Sequence, residues 1–329
     1  MVNAKKTRGK KITNVQALRA FAAINVVILH VIFNAEIYDN AVVFFRFLKG
    51  WGGSGVDLFF VISGFVMVYI QWLKNKPPSA FFKDRLTRIV PNYWLFSLLI
   101  GALMMLAPKL FNKKVFSIGW LLCSLLFSSQ LMGYAEPIIF VGWTIEYEMF
   151  FYLFFAISLF FNSIFKSFLT STVLILISIF VFKMDPIMLE FTFGMIIGQL
   201  YITKNTSAQA AQKSLILGGI FFLLSILMKD SGVSRVVIYG LPSALIVFGC
   251  VNMAQMKDNI FTKIGDASYS IYLVQVFTIP AFYKFVQISN LSFLHNDFLA
   301  LVCVTATILI GMFLYEIYEK RASGFRCPV

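Results

Sequence analysis

Eleven long apolar stretches follow one another along the chain, separated by short polar segments. They lie at 17–34, 55–72, 89–107, 116–134, 137–161, 167–183, 186–203, 214–229, 236–252, 268–287 and 297–316. An α-helix needs about 20 apolar residues to cross a bilayer, whereas a β-strand needs about 10 and alternates polar with apolar positions. The lengths therefore predict an all-α fold, a polytopic membrane helix bundle.

The segment 116–134 differs from the other ten because it carries many small polar residues. These are Ser117, Gly119, Ser124, Ser128, Ser129 and Gln130. If this segment does not cross the membrane, 19 of the 28 Lys and Arg residues fall on the side of the N-terminus. The positive-inside rule favours that arrangement. We predict about ten transmembrane helices, a re-entrant or amphipathic segment near 116–134, and cytoplasmic N- and C-termini.

Composition agrees with a membrane protein and excludes most soluble functions. Only 13% of the 329 residues are charged, against about 25% in soluble domains, and 59% are hydrophobic. The net charge of +13 would suggest nucleic acid in a soluble protein, but here basic loops face anionic membrane lipids. Four scattered cysteines and two histidines predict no metal site. We expect one membrane domain over 1–329, with cytoplasmic tails at 1–14 and 317–329.

Ionisable residues inside apolar segments are the first candidates for function, because they are costly there. His30 lies deep in the first segment, and imidazole suits proton transfer or nucleophilic attack near neutral pH. Arg19 precedes it by 11 residues, which places both on one helix face about 16 Å apart. A structural histidine and a lipid-facing arginine are the plainer alternatives.

Two further sets of charges stand at or within apolar segments. Arg85 and Arg88 are three residues apart before the third segment, so two guanidinium groups on one face could bind phosphate, or simply anchor the helix. Glu146 and Glu148 point in different directions on a helix. A carboxylate beside His30 would orient its ring, and spacing does not decide which glutamate does so.

Two glycine-containing segments complete the candidates. Asp57 enters the second segment after a glycine-rich turn, without a cation nearby in sequence, and should face the bundle interior. Asp266 or Ser268 is predicted to cap the helix over 268–287.

Together these pieces resemble the acyltransferase 3 family of bacterial membrane O-acyltransferases, over about 13–320. The segments that carry the resemblance are Leu18-Arg19-Ala20 with His30, Gly55 to Phe65, Arg85 to Arg88, Trp143 to Tyr152 and Gly265 to Leu273. They stand in the order of the family. Two positions depart from it: Glu146 replaces a small or polar residue, and Gln275 replaces a histidine.

The resemblance implies roles for individual residues. His30 would be catalytic with Glu148 as its partner, and Arg19, Arg85 and Arg88 would bind acyl-CoA. Supporting or substrate-contacting roles are expected for Asp57, Ser63, Trp143, Glu146, Asp266, Ser268 and Tyr269. His30 would either deprotonate a sugar hydroxyl or carry the acyl group.

The function predicted from this resemblance is transfer of an acyl group, most simply acetyl from acetyl-CoA, to a cell-surface polysaccharide or its lipid-linked precursor. The protein would lie in the bacterial inner membrane. Two alternatives stay open: a transporter or flippase, which also holds charges inside a bundle, and an inactive relative in a polysaccharide assembly complex.

Overall fold

A computed structural model describes residues 11–111, 115–203, 206–228 and 231–320. Its α-helices are α1 Thr13–Ile37, α2 Ser54–Lys74, α3 Pro78–Leu106, α4 Ile118–Leu125, α5 Trp143–Ser158, α6 Ile164–Phe180, α7 Leu189–Thr203, α8 Ala208–Met228, α9 Leu241–Asn252, α10 Ile260–Asp266, α11 Ser268–Ile288 and α12 Asn296–Leu314. A π-helical turn, Val236–Gly240, leads into α9, and another, Tyr315–Glu319, extends α12. Within these ranges the protein contains no β-strand, which confirms the all-α prediction.

The apolar helices agree with the ten predicted spans. Eight in the described ranges are long and apolar enough to cross a membrane, and two shorter apolar helices occupy 164–180 and 236–252. Their apolar side chains cover the outside of the bundle, where a hydrocarbon phase would solvate them. Helix α2 is the most deeply buried of these eight spans, so it forms the centre of the bundle.

The segment after α3 enters the bundle without crossing it. Its helix α4 has eight residues, about 12 Å, and is too short for a span. The Trp94 indole donates to the carbonyl of Leu125 at 2.9 Å. Trp94 lies about 18 Å before the end of α3, so the segment reaches well back along that helix. It then returns to the start of α5, which makes 116–134 re-entrant.

The two ends of the bundle are each held together by polar contacts. At the end where α1 begins, the N-terminal face, Lys11 pairs with Asp266 at 2.7 Å and Asn14 donates to the Cys250 carbonyl at 2.9 Å. At the other end, the opposite face, Asp297 accepts hydrogen bonds from the backbone amides of the segment 43–45. Segments joined in this way lie on the same side in the ten-helix topology.

One predicted boundary was wrong, and the predicted tails are only partly described. Helix α3 begins at Pro78, not at 89, because charged turns continue the helix beyond the apolar stretch. Arg85 and Arg88 therefore lie inside it. Helical structure continues to Glu319, into the segment predicted as the C-terminal cytoplasmic tail. Residues 1–10 and 321–329 of the tails predicted at 1–14 and 317–329 fall outside the described residues.

Helices α2 and α7 approach each other so closely that two glycines meet. A Cβ added to Gly64 would lie 2.1 Å from the carbonyl oxygen of Phe191, and one added to Gly194 would lie 2.0 Å from that of Val61. Small residues allow such backbone contact between membrane helices, where packing rather than water drives association. This contact fixes the central helix against α7.

We expect Gly194→Ala to lower the unfolding free energy by about 1–3 kcal/mol, because the new methyl must push α2 and α7 apart. The measurement is the thermal midpoint of the detergent-solubilised protein. Gly219→Ala on α8 is the matched control, since its added Cβ would meet no atom within 4 Å. Equal midpoints for the two variants would contradict the close contact.

Candidate functional site

A narrow cavity lies inside the bundle between α1, α2, α3, α5 and α11. Its polar lining comprises Arg19, Ser63, Arg88, Thr144, Glu148, Tyr152, Ser268, Tyr269 and Tyr272. Arg19 and Arg88 stand about 9 Å and 15 Å along helices that begin at the N-terminal face. Thr144, at the start of α5, marks the end towards the opposite face. The cavity thus has two cations nearest the N-terminal face and a carboxylate, Glu148, in its wall.

Glu148 is held by two hydroxyl groups within this wall. It accepts hydrogen bonds from Ser63 at 2.7 Å and from Tyr152. The two glutamates of α5 were expected to point in different directions. This is confirmed, because Glu148 lines the cavity whereas Glu146 is buried outside it. Ser63 therefore has a supporting position on Glu148.

Arg85 lies one layer behind the cavity wall. Its side chain is 1% exposed, and its guanidinium carbon is 5.9 Å from the ring centre of Phe81 and 6.0 Å from that of Tyr152. Among the described residues, its Nε and Nη1 atoms have no hydrogen-bond partner. A buried cation without a carboxylate is costly, and a nearby anion would relieve that cost.

His30 stands on α1 beyond the cavity, towards the opposite face. Its Nδ1 lies 2.9 Å from Oε1 of Gln275, and its ring meets the Phe140 ring edge-on at 5.0 Å between centres. The Gln275 amide nitrogen donates to the Tyr272 carbonyl at 2.8 Å, so the amide oxygen must be the acceptor for His30. Nδ1 consequently carries the proton, and Nε2 keeps its lone pair.

The predicted contact between His30 and Glu148 is wrong. Tyr272 and Thr144 line the cavity and form a hydrogen bond with each other at 2.7 Å. His30 instead contacts Gln275 and Phe140. Gln275 lies about one helical turn beyond Tyr272 on α11, further towards the opposite face. The two predicted catalytic residues therefore occupy different levels of the bundle. Gln275 orients His30 but, being neutral, adds no negative charge beside the ring.

Asp57 faces the interior as expected, and its partner is a cation distant in sequence. Arg235 donates to both carboxylate oxygens, at 3.1 Å and 2.7 Å, and also to the Gly53 carbonyl at 2.7 Å. Asp57 is 0% exposed. The buried Glu190 carboxyl lies close enough to interact electrostatically with both. Asp57 thus supports the packing of α2 against the segment before α9.

Glu146 holds the re-entrant segment against α5. Its two carboxylate oxygens accept the backbone amides of Ser129 at 2.9 Å and Gln130 at 3.3 Å. These amides would otherwise be buried without partners. The segment leads directly to Phe140, so Glu146 helps to position the ring that packs on His30.

The predicted cap at the start of α11 is also wrong. Neither Asp266 nor Ser268 caps the helix, because α10 runs almost directly into α11 and backbone bonds continue through Ala267. Asp266 pairs with Lys11 instead, and Ser268 faces the cavity.

The aromatic candidates Tyr269 and Trp143 occupy different surroundings. Tyr269 lines the cavity and donates to the Ile89 carbonyl at 2.9 Å. Trp143 packs edge-on against Tyr147 at 5.8 Å and lies outside the cavity lining.

Comparison with known proteins identifies the family of this chain. A family model described as an acyltransferase domain matches residues 12–317. The chain belongs to the acyltransferase 3 family. It is 32% identical over 294 residues to the exopolysaccharide production protein ExoZ of Rhizobium meliloti (strain 1021), covering 82% of this chain and 89% of that protein. No solved structure matches the chain significantly.

For this acyltransferase 3 protein, sequence reasoning missed the partners of its buried charges. Arg235, which lies just before the π-helical start of α9, was not singled out as a candidate. Glu319 was assigned to a tail, yet its buried carboxylate accepts from Ser270 at 2.5 Å. The signal available in sequence was the isolation of Asp57, since a lone carboxylate in an apolar segment requires a cation from elsewhere.

Proposed function

We propose that this protein lies in the bacterial inner membrane, with its N-terminal face towards the cytoplasm, and transfers an acyl group from acyl-CoA to a hydroxyl of a cell-surface polysaccharide or its lipid-linked precursor. Acetyl is the simplest donor group. The observation that carries the proposal is the cavity with Arg19 and Arg88 towards one face, followed at its other end by His30. The similarity to an exopolysaccharide production protein supports the acceptor class.

The donor would bind at the N-terminal face. Arginine side chains bind phosphate with two parallel hydrogen bonds, and CoA carries several phosphate groups. Arg88 and Arg19 in the lining, and Arg85 behind it with its unbonded Nε and Nη1 atoms, place three cations at this end of the cavity in a low-dielectric setting. The thioester would then extend along the cavity, past Glu148 towards Thr144.

His30 would act at the other end of this path. Its Nε2 takes the proton from the acceptor hydroxyl, the hydroxyl oxygen bonds to the thioester carbonyl carbon, and the carbon–sulfur bond breaks. The CoA thiolate leaves and receives the proton from His30. Gln275 supports this step because it fixes the tautomer that leaves Nε2 available. The acyl group must pass the Tyr272–Thr144 contact to reach His30.

We expect Arg88→Ala to raise the KM for acetyl-CoA about tenfold, since one charge-assisted phosphate contact is lost. The assay follows radiolabelled acetyl transfer from acetyl-CoA to cell-surface glycan by the purified protein in nanodiscs. Lys83→Ala is the matched control, because Lys83 is an exposed cation on the same helix outside the cavity.

If the folded wild-type protein neither binds nor hydrolyses acyl-CoA, the enzyme proposal fails and the transporter or the inactive assembly component replaces it. Transfer of succinyl but not acetyl would change only the donor. Labelled acetyl trapped on the protein before it reaches glycan would replace the base role of His30 with an acyl-carrier role.

A further inference from the structure

A second pocket opens at the opposite face, separate from the cavity that holds Arg19 and Arg88. We call it the outer pocket; the lining residues that matter here are Phe33, Arg46, Phe47, Lys49, Arg235 and Tyr239. Its volume is ≈ 820 Å³, within the range of sites that hold small organic ligands. Three cations and three aromatic rings therefore surround one space.

The cations of the outer pocket are not all neutralised by the protein. Lys49 pairs with Glu36 at 2.6 Å, and Arg235 pairs with Asp57. Arg46 is exposed, and its side chain makes no ion pair or hydrogen bond with the described residues. Arg235 uses its Nε and Nη2 atoms for Asp57 and Gly53, and within the same ranges its Nη1 has no hydrogen-bond partner. Positive charge and free donors thus face the pocket.

The aromatic rings stand next to these cations. Lys49 lies over Phe33 at 5.5 Å, and the guanidinium of Arg235 lies 5.8 Å from the ring centre of Tyr239. Flat rings offer large, rigid contact area to the apolar side of a sugar, while cations bind its negatively charged groups. Rings and cations together favour a ligand that has both an apolar sugar face and a negatively charged group.

The outer pocket is also close to the candidate catalytic histidine. Phe33 follows His30 by three residues and so shares its helix face. A Cβ added to Gly53 would contact both Leu29, the neighbour of His30, and Arg235, at 3.6–3.8 Å. A ligand in the pocket would therefore lie within about one helical turn of His30.

From this geometry we infer that the outer pocket binds the acceptor glycan through an anionic group on it, held by Arg46 and the free Nη1 of Arg235. The role of the bound glycan as acceptor rests on the proposed function, whereas its binding does not. The anion is either a carboxylate on a sugar or the pyrophosphate of a lipid carrier, which present similar oxygen acceptors to a guanidinium.

The test measures equilibrium binding to the full-length protein in nanodiscs, without acyl-CoA. The probes are a fluorescent glucuronic-acid oligomer, the same oligomer with its carboxyl groups reduced to alcohols, and polyprenyl-pyrophosphate-linked glucose. The variant is Arg46→Glu, chosen because Arg46 is exposed and supports no other residue. Lys109→Glu, an exposed charge reversal elsewhere on the opposite face, is the matched control.

We expect Arg46→Glu to raise the Kd of at least one anionic probe about tenfold or more, with no change for the reduced oligomer and none for Lys109→Glu. If Arg46→Glu weakens binding of the glucuronic-acid oligomer alone, the anion that the pocket recognises is a sugar carboxylate. If it weakens binding of the lipid-linked glucose alone, the anion is the pyrophosphate. Equal affinities of wild type and Arg46→Glu for both anionic probes would overturn the inference, even if acyl transfer occurs. Arg46-dependent binding without any acyl transfer would instead refute only the proposed function.

Discussion

Replacing His30 with alanine should lower the rate of acyl transfer about 10²- to 10⁴-fold, the range typical for loss of a positioned general base. The reason is that Nε2 is the only nitrogen of this ring left for proton transfer once Nδ1 bonds to Gln275. The measurement is kcat with saturating acetyl-CoA and glycan. The KM for acetyl-CoA should change little, because Arg19 lies about 16 Å away from His30 along α1 and neither Arg19 nor Arg88 contacts the ring.

The chain supplies its own control for this prediction. His295, the other histidine of the sequence, is exposed at the start of α12, so His295→Ala should retain wild-type kcat. Gln275→Leu should also lower kcat, because it removes the acceptor that fixes the tautomer while it leaves the ring in place. A His30→Ala protein that folds and transfers acetyl at the wild-type rate would remove His30 from the mechanism.

Replacing Arg235 with alanine should destabilise the protein by about 3 kcal/mol, the lower end of the range typical for removal of one member of a buried ion pair, because the Arg235 side chain is itself 36% exposed. The loss leaves the Asp57 carboxylate without its cation, at a position with 0% exposure and with Glu190 nearby. The thermal midpoint in detergent and the yield of monodisperse protein measure the effect. Arg46→Ala is the control, since Arg46 lines the same pocket without an ion pair.

A double-mutant cycle separates this effect from simple loss of side-chain contacts. Asp57→Ala combined with Arg235→Ala should be less destabilising than the sum of the two single changes, because neither charge is then left buried alone. If the two destabilisations were strictly additive, the pair would contribute no coupling energy, even though Arg235 donates to both carboxylate oxygens of Asp57.

The fold was predictable because one physical rule controls it. A helix that crosses hydrocarbon must be apolar over about 20 residues, and this requirement is local in sequence. The re-entrant segment was predictable for the same reason, since its serines could not face lipid. The starts of the helices were harder to predict from the sequence. In α3, for example, the helix includes charged turns such as Lys83-Asp84-Arg85, where hydropathy gives no signal for a helix.

Six of the twelve predicted site residues line the cavity, whereas the pairings of the buried charges could not be predicted. Arg19, Arg88 and Glu148 do meet in one cavity, and helical spacing gave part of that answer. The partner of His30 is 245 residues away, and the partner of Asp57 is 178 residues away. Such contacts depend on which helices are neighbours, which no local pattern specifies. Gln275, which the sequence marked only as a departure from the family, is the group that orients His30.

The glycine contact between α2 and α7 limits how the molecule can move during turnover. Because backbone meets backbone at Gly64 and Gly194, these two helices can neither slide nor separate without losing that fit. They act as the stationary frame, and they carry Ser63 and Asp57 with them. A rearrangement that connects the cavity with His30 therefore has to occur in the helices around this frame, and the hydrogen bond between Thr144 of α5 and Tyr272 of α11 is a contact that it would break.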